Sequence, residues 1–214
     1  MRVLTPMFAV GIFDNPNANT TNNNVSRGLY PTSTANNTLT ANTANNNNFY
    51  GFYLTSSANN TLTNNTANNN SLYGFRLNSS ANNTFISNTA GSNTAYGIHI
   101  ANSDSNTLSG NNSSGNLDNG IRVENSTKNS ITGNVFTDNG DAGDISILLT
   151  SNSVDNVVSN NTIEDTEGEY LALIQIDAGS NRNILASNIY IADNRDDSDY
   201  ITDNGTDTRY DDYN

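Results

Sequence analysis

A constant interval between glycines is the feature of this sequence that most limits its fold. Six glycines are 23 residues apart each time: Gly28, Gly51, Gly74, Gly97, Gly120 and Gly143. A fixed period in the twenties is typical of a solenoid, because a unit of that length cannot bury an apolar face alone and must stack on its neighbours. A disordered chain needs no such period, so the low hydrophobic content of 34% does not by itself indicate disorder.

Three asparagine columns keep step with the glycines. The first is Asn37, Asn60, Asn83, Asn106, Asn129, Asn156 and Asn183. The second is Asn19, Asn42, Asn65, Asn88, Asn111, Asn134, Asn161 and Asn188, and the third is Asn24, Asn47, Asn70, Asn93, Asn116 and Asn139. Asparagine tolerates left-handed backbone geometry, and its amide can hydrogen-bond to the same amide one turn away. We therefore expect these columns to form the corners of a coil.

Apolar residues between the corners predict strands. An apolar/any/apolar triplet follows each glycine, as in Phe52–Leu54 and Ile98–Ile100, and such alternation places two side chains inward and one outward. A second inward column runs from Leu39 to Leu185, and a third grows from Ala44 to Phe136 and beyond. Three short strands per period, with no helical periodicity, indicate a parallel β-helix.

The predicted fold is an all-β, right-handed, single-stranded parallel β-helix with three sides and about eight coils of 23–27 residues. It covers residues 15–194. Residues 1–14 are interpreted as an N-terminal strand or a remnant leader, and residues 195–214 as an acidic tail or the start of a following segment. Two late coils are four residues longer and more apolar, so the helix is expected to broaden there. Ends without caps would permit end-to-end self-association, or continuation in a longer protein.

Charge and composition exclude several classes of function. The net charge of −13 leaves no basic stripe for the phosphates of a nucleic acid. No apolar window is long enough to span a membrane. Cysteine is absent, which excludes disulfides and thiolate metal sites.

The pattern NNTL-x-x-N-T-A-x-N-x-x-x-YGI-x-L resembles the right-handed parallel β-helix repeat family, including NosD-like domains and asparagine-rich cell-surface proteins. The resemblance implies an extracellular, cell-surface or periplasmic location and carbohydrate binding or processing. The NosD proteins themselves assist the maturation of copper centres. One histidine, two methionines and no cysteine do not make a copper site, so no metal is predicted from that resemblance.

An outward wall of tyrosine and basic side chains is the candidate carbohydrate-binding site. It consists of Tyr50, Tyr53, Tyr73, Arg76, Tyr96, His99 and Arg122, in columns that begin with Tyr30. Aromatic rings stack on the apolar faces of sugars, and arginine reaches hydroxyl or carboxylate groups. The alternative is that these side chains favour strands and pack on one another.

A catalytic site would require paired carboxylates, as in glycoside hydrolases, or acids that hold Ca²⁺ beside a basic group, as in lyases of this fold. The candidate residues for that chemistry are Asp118, Asp141, Glu124, His99 and Arg122. Acids elsewhere in those columns are few. The sequence therefore favours a non-catalytic surface module, a structural spacer that binds polysaccharide or surface glycans and needs no cofactor. The alternative is a polysaccharide-processing enzyme, a glycoside hydrolase or a lyase.

Overall fold

The computed structural model describes residues 18–140, 145–166, 172–192 and 200–211. These residues form twenty short strands, all paired in parallel, and no helix. The chain winds through three sheets in turn, so each turn adds one rung to each side of a three-sided coil. The predicted right-handed parallel β-helix is confirmed.

Eight strands form the longest sheet: β1 (Thr38–Thr40), β3 (Thr61–Thr63), β5 (Thr84–Ile86), β8 (Thr107–Ser109), β11 (Ser130–Thr132), β14 (Val157–Ser159), β17 (Ile184–Ala186) and β20 (Arg209–Asp211). The seven-stranded sheet follows the glycines: β2 (Tyr50–Thr55), β4 (Tyr73–Asn78), β7 (Ile98–Ala101), β10 (Ile121–Glu124), β13 (Ile145–Thr150), β16 (Ala172–Ile176) and β19 (Ile201–Asp203). The five-stranded sheet contains β6 (Thr89–Gly91), β9 (Asn112–Ser114), β12 (Val135–Thr137), β15 (Thr162–Asp165) and β18 (Ile189–Ala192).

The register of the strands follows the sequence period. Leu39 pairs with Leu62, Leu62 with Phe85, and the column continues to Leu185 with every member buried. Inward side chains of all three sheets meet in one continuous apolar core. The core therefore consists of stacked columns, as the alternation of apolar residues predicts.

The inward column that holds the largest side chains changes along the axis of the coil. In the early turns Phe52 and Phe75 stack with their ring centroids 4.7 Å apart, and the third inward column holds only alanines. In later turns the triplet begins with isoleucine, as at Ile121, and Phe136 enters the third column. Such exchange keeps the packed volume of each turn similar, which a close-packed core requires.

The asparagine columns form buried hydrogen-bonded ladders. In the second column, the side-chain oxygen of Asn88 accepts hydrogen bonds from both the backbone N–H and the Nδ2 of Asn65, each at 2.9 Å. The Nδ2 of Asn88 donates to the carbonyl of Leu62 and to Oδ1 of Asn111. Each amide thus hydrogen-bonds to polar groups of the turns before and after its own. These groups need such partners because no water reaches a buried corner.

The left-handed residue at each corner is the one before the ladder asparagine, which corrects the backbone role expected for the ladder residue. Asn59 and Asn64 have φ of 56° and 54°, whereas their ladder neighbours Asn60 and Asn65 do not have positive φ. A serine ladder that the sequence reasoning missed lies at the same corner as the first asparagine ladder, between β2 and β3. There the backbone N–H of Ser57 donates to Oγ of Ser80 at 3.1 Å, and the pattern continues every turn to Ser180.

In the described part of the glycine column the backbone has no positive φ, so backbone conformation does not require glycine there. Close packing does. A Cβ at Gly74 would lie 2.7 Å from the carbonyl oxygen of Gly97 and 2.9 Å from Nδ2 of Asn93. The glycine column therefore lies directly against the third asparagine ladder.

The last turns differ from the earlier ones as expected. Strand β13 has six residues, all of them buried, and the ladder interval there is 27 residues. Beyond the predicted boundary at residue 194, β19 and β20 extend the seven- and eight-stranded sheets, so part of the acidic segment belongs to the coil. The interpretation of residues 1–14 lies outside the described residues. None of the described residues forms a helix long and apolar enough to cross a membrane.

Candidate functional site

The outward face of the seven-stranded sheet carries two columns of aromatic and basic side chains over its first turns. The middle residue of each triplet points outward because side chains alternate along a strand. The residue before each glycine also lies on the outer face, where the rings of Tyr50 and Tyr53 are in contact, although strict alternation would place it inward. We call the following residues the aromatic wall: Arg27, Tyr30, Tyr50, Tyr53, Tyr73, Arg76, Tyr96, His99 and Arg122. Register pairs Tyr53 with Arg76, Arg76 with His99 and His99 with Arg122.

The tyrosine rings of the wall stack on one another along the axis. Ring centroids are 5.3 Å apart for Tyr50 and Tyr73, and 4.8 Å apart for Tyr73 and Tyr96. Tyr30 and Tyr53 stack in the neighbouring column at 5.0 Å. Most ring faces are therefore occupied by other rings. The wall offers solvent mainly ring edges, hydroxyl groups and guanidinium groups. Sugar stacking would need free ring faces, and the packing of the side chains on one another is the alternative given above.

Arginines hold the tyrosine stack from outside. Arg76 Cζ lies 5.3 Å from the ring centroid of Tyr53, and its Nη1 donates a 2.9 Å hydrogen bond to the hydroxyl of Tyr50. Arg27 Cζ lies 4.3 Å from the Tyr30 centroid and 5.0 Å from that of Tyr53. Cation–π contacts of this kind fix the long side chains over the rings. Sequence reasoning missed Arg27, although its position one period before Tyr50 assigns it to the wall.

His99 lies at the centre of the wall with only 5% of its surface exposed. Its Nε2 is 3.1 Å from Oε2 of Glu124, and Nε of Arg122 is 3.4 Å from the same oxygen. The edges of the His99 ring face Tyr73 and Tyr96, with centroids 5.0 and 5.2 Å away. Among the described residues, the Nδ1 of His99 has no hydrogen-bond partner.

Burial sets the protonation of this cluster. Desolvation, followed by the charge of Arg76, lowers the pKa of His99 to about 4, and the contact with Glu124 only partly opposes this. Partial burial acts to raise the pKa of Glu124, but the hydrogen bond from His99 and the charge of Arg122 leave it below its ordinary value. Burial raises the pKa of Tyr73 and Tyr96. At neutral pH the site thus holds a neutral imidazole, an ionised carboxylate and protonated phenols.

The structure brings together three of the five residues predicted for catalysis: His99, Arg122 and Glu124. Asp118 is half-buried before β10, where its charge helps to raise the pKa of Tyr96. Asp141 lies outside the described residues. A catalytic role for these five residues stays a prediction.

The wall ends where β13 begins. Leu148 takes the register position that follows Arg122, and it is buried although it points outward. Further along the same column, Nε2 of Gln175 donates to Oδ1 of Asp177 at 2.6 Å. The aromatic and basic surface is therefore confined to the first five turns of the seven-stranded sheet.

Comparison with known proteins supports the same architecture. The sequence matches the family described as periplasmic copper-binding protein (NosD) over residues 8–168. No curated protein matches the chain by sequence.

Among solved structures, the A-module of the mannuronan C-5 epimerase AlgE4 of Azotobacter vinelandii is similar, with 20% identity and a TM-score of 0.78 over 92% of this chain and 55% of that one. The periplasmic alginate epimerase AlgG matches at 18% identity with a TM-score of 0.65, over 90% of this chain and 44% of that one. Tailspike protein 2 of bacteriophage CBA120 matches at 16% identity with a TM-score of 0.60, over 86% of this chain and 30% of that one. The chain thus spans about half, or less, of the length of these proteins.

Proposed function

Because the chain belongs to the NosD family, we propose that it is a periplasmic or surface β-helix module that binds a polysaccharide across the aromatic wall. The periplasmic description of the family confirms the predicted location outside the cytoplasm. In this proposal the coil is a rigid support and carries out no chemistry itself. Seven intervals between the rungs of the eight-stranded sheet, at about 4.8 Å each, give a stiff rod of roughly 34 Å.

The main support for this proposal is the aromatic wall. Its hydroxyl and guanidinium groups repeat at the spacing of the strands, and a polymer of sugars presents repeating hydroxyl groups to match them. The side chains are already fixed by stacking and by the Arg76–Tyr50 hydrogen bond, so little side-chain entropy remains to be lost on binding.

The solved structures support the class of ligand at the level of the fold. Two of them are epimerases named for mannuronan or alginate, which are polysaccharides. The matches to these two epimerases cover 92% and 90% of this chain, and so include the aromatic wall.

Isothermal titration with soluble polysaccharides tests the proposal. Tyr73→Ala and Arg76→Gln should each weaken binding by ~1–3 kcal/mol, because each removes a contact group from the wall. Tyr210→Ala, at an exposed tyrosine outside the wall, is the matched control and should bind like the unaltered protein. Failure of every neutral and acidic polymer to bind would leave only the role of a structural spacer.

A second candidate function is polysaccharide processing by the His99, Arg122 and Glu124 cluster. The observation that favours it is an imidazole in contact with a carboxylate, because the unprotonated ring is the form that can accept a proton as a general base. Incubation with polysaccharides, with and without Ca²⁺, would then release reducing ends or unsaturated products. Glu124→Gln should abolish that release, and product formation that depends on Glu124 would replace the non-catalytic proposal.

Copper, which the family description names, does not fit the donor groups of this chain. The single histidine is buried against Glu124, and the chain has no cysteine. Met1 and Met7 lie outside the described residues. Within residues 18–140 and the later described ranges, no three His, Cys, Asp or Glu side chains are grouped to hold a metal. Copper therefore has no part in the proposed function.

A further inference from the structure

Two arginines of the aromatic wall lack an acidic partner. The ion pairs found among the described residues join Glu124 to His99 and Arg122, and Asp155 to Arg182. Neither Arg27 nor Arg76 forms one within this part of the chain. The net charge of the protein is −13, so acidic side chains are plentiful elsewhere on its surface. Arg27 and Arg76 differ in this from Arg122, the other arginine of the wall, which pairs with Glu124.

The two guanidinium groups contact the same aromatic ring. Arg27 Cζ and Arg76 Cζ are 5.0 and 5.3 Å from the centroid of the same ring, that of Tyr53. In the described residues, the Nε atoms of both arginines are buried and lack a hydrogen-bond partner. A buried donor without a hydrogen-bond partner is costly.

The neighbouring outward column gives these arginines no counter-charge. In the first three turns it holds Thr32, Thr55 and Asn78, whereas in the fifth turn the same column holds Glu124, which pairs with Arg122. Among the described residues, Arg122 is thus the arginine of the wall whose charge is neutralised by a carboxylate. An anion from outside the chain would supply the counter-charge for Arg27 and Arg76 in the first three turns.

We propose that Arg27 and Arg76 form a carboxylate-binding site beside the hydroxyls of Tyr50 and Tyr53, and that the ligand is a polymer of uronic acids. This inference rests on the proposed function and specifies the ligand class of the same wall. A guanidinium group presents a planar fork of N–H donors that matches a carboxylate in two parallel hydrogen bonds. Nucleic acid is a poor alternative, since its dense phosphates require many more cations than these two.

Calorimetry with alginate and with the same alginate after reduction of its carboxyl groups to alcohols tests this inference. The full chain at low ionic strength should bind alginate about tenfold more tightly than the reduced polymer. Arg27→Gln and Arg76→Gln should each weaken the binding of alginate far more than the binding of the reduced polymer, so that most of the preference is lost. Arg76→Lys, which keeps the charge without the fork, should retain only part of the preference.

Arg182→Gln is the matched control, because it removes an exposed arginine that is paired with Asp155 outside the wall. It should leave the preference for alginate intact. Circular dichroism of each variant establishes that the coil is folded. Equal affinity for the two polymers would overturn the carboxylate site and leave polysaccharide binding standing, whereas binding of neither polymer would remove both. An equal loss of preference in Arg182→Gln would assign the preference to overall charge and overturn the site.

Discussion

At the scale of single residues, asparagine has two different tasks in this protein. At each corner one residue adopts left-handed backbone geometry, and the next supplies the buried amide of the ladder. In the pair Asn59 and Asn60, the first has φ of 56° and is exposed, and the second is buried. Serine, glycine, lysine and arginine also occupy the left-handed position, as at Lys128 and Arg182. Only the amide position requires asparagine, because its hydrogen bonds reach both neighbouring turns.

Adjacent asparagines allow a direct test of the ladder. Asn111 is buried and accepts hydrogen bonds from the backbone N–H and the side chain of Asn88, while Asn112 is exposed. Asn111→Ala should lower the free energy of unfolding by ~2–4 kcal/mol, because several buried polar groups lose their partners. Asn112→Ala should change it by less than ~0.5 kcal/mol. Urea denaturation measures both, and equal effects would contradict a special role for the ladder.

His99 should make stability depend on pH. Its pKa is about 4 in the folded protein against an ordinary value of 6.5, so the unfolded chain binds a proton in this range that the folded protein does not. The free energy of unfolding should therefore fall as the pH is lowered from 7 to 5, by about 2 kcal/mol from this group. His99→Gln should reduce that fall.

Urea denaturation at the two pH values measures the difference, and carboxylates stay ionised over most of this range. Since the chain has one histidine, its proton resonance also reports the pKa directly by NMR. An ordinary titration near pH 6.5, or an unchanged pH dependence in the variant, would contradict the burial of His99.

The sequence allowed the ladder positions to be predicted, but not the state of the wall residues. A repeat fixes which residues share a column, and so it identifies Tyr73, Arg76 and His99 as neighbours. It does not fix rotamers. His99 points outward and is nevertheless buried, because Tyr96 of its own turn and Tyr73 and Arg76 of the preceding turn lie against it. The self-stacking of the rings has the same origin.

At the scale of strands, glycine marks the start of each rung for a steric reason. The backbone of the seven-stranded sheet approaches the third asparagine ladder so closely that no Cβ fits. The spacing alone predicted the glycine column, but its cause required the structure. Other glycines have a different cause: Gly133 has φ of +64° and open space around its Cα.

Two glycine substitutions separate these causes. Gly74→Ala should destabilise the coil by ~2–3 kcal/mol or more, because its Cβ would meet the backbone oxygen of Gly97 at 2.7 Å. Gly133→Ala should cost only ~1 kcal/mol, since its penalty is the left-handed backbone alone. Thermal denaturation ranks the two variants. The reverse order would contradict the steric role of the glycine column.

At the scale of the whole molecule, charge should act on folding and on binding in opposite directions. The net charge of −13 opposes compactness through self-repulsion, whereas the proposed ligand is held by positive groups. Salt screens both effects, since the Debye length falls from about 10 Å at 0.1 M to about 3 Å at 1 M. Added salt should therefore raise the Tm of the protein and weaken its binding to alginate.

Differential scanning calorimetry and titration at the two salt concentrations check this pair of effects. The carboxyl-reduced polymer is the control, and its affinity should change little with salt. Alginate binding that is insensitive to salt would contradict a charge-assisted contact with Arg27 and Arg76.

The asparagine ladders also give the rod an electrical direction. In all three columns the side-chain N–H groups donate to the oxygen of the following turn, as from Asn60 to Asn83 and from Asn70 to Asn93. Amide dipoles aligned head to tail add together, as they do along an α-helix, and each polarises the next. The sum places partial positive charge at the C-terminal end of the coil. Asp203 and Asp207 lie in the last described turn, at that same end, so their fixed charges complement the axial dipole of the core.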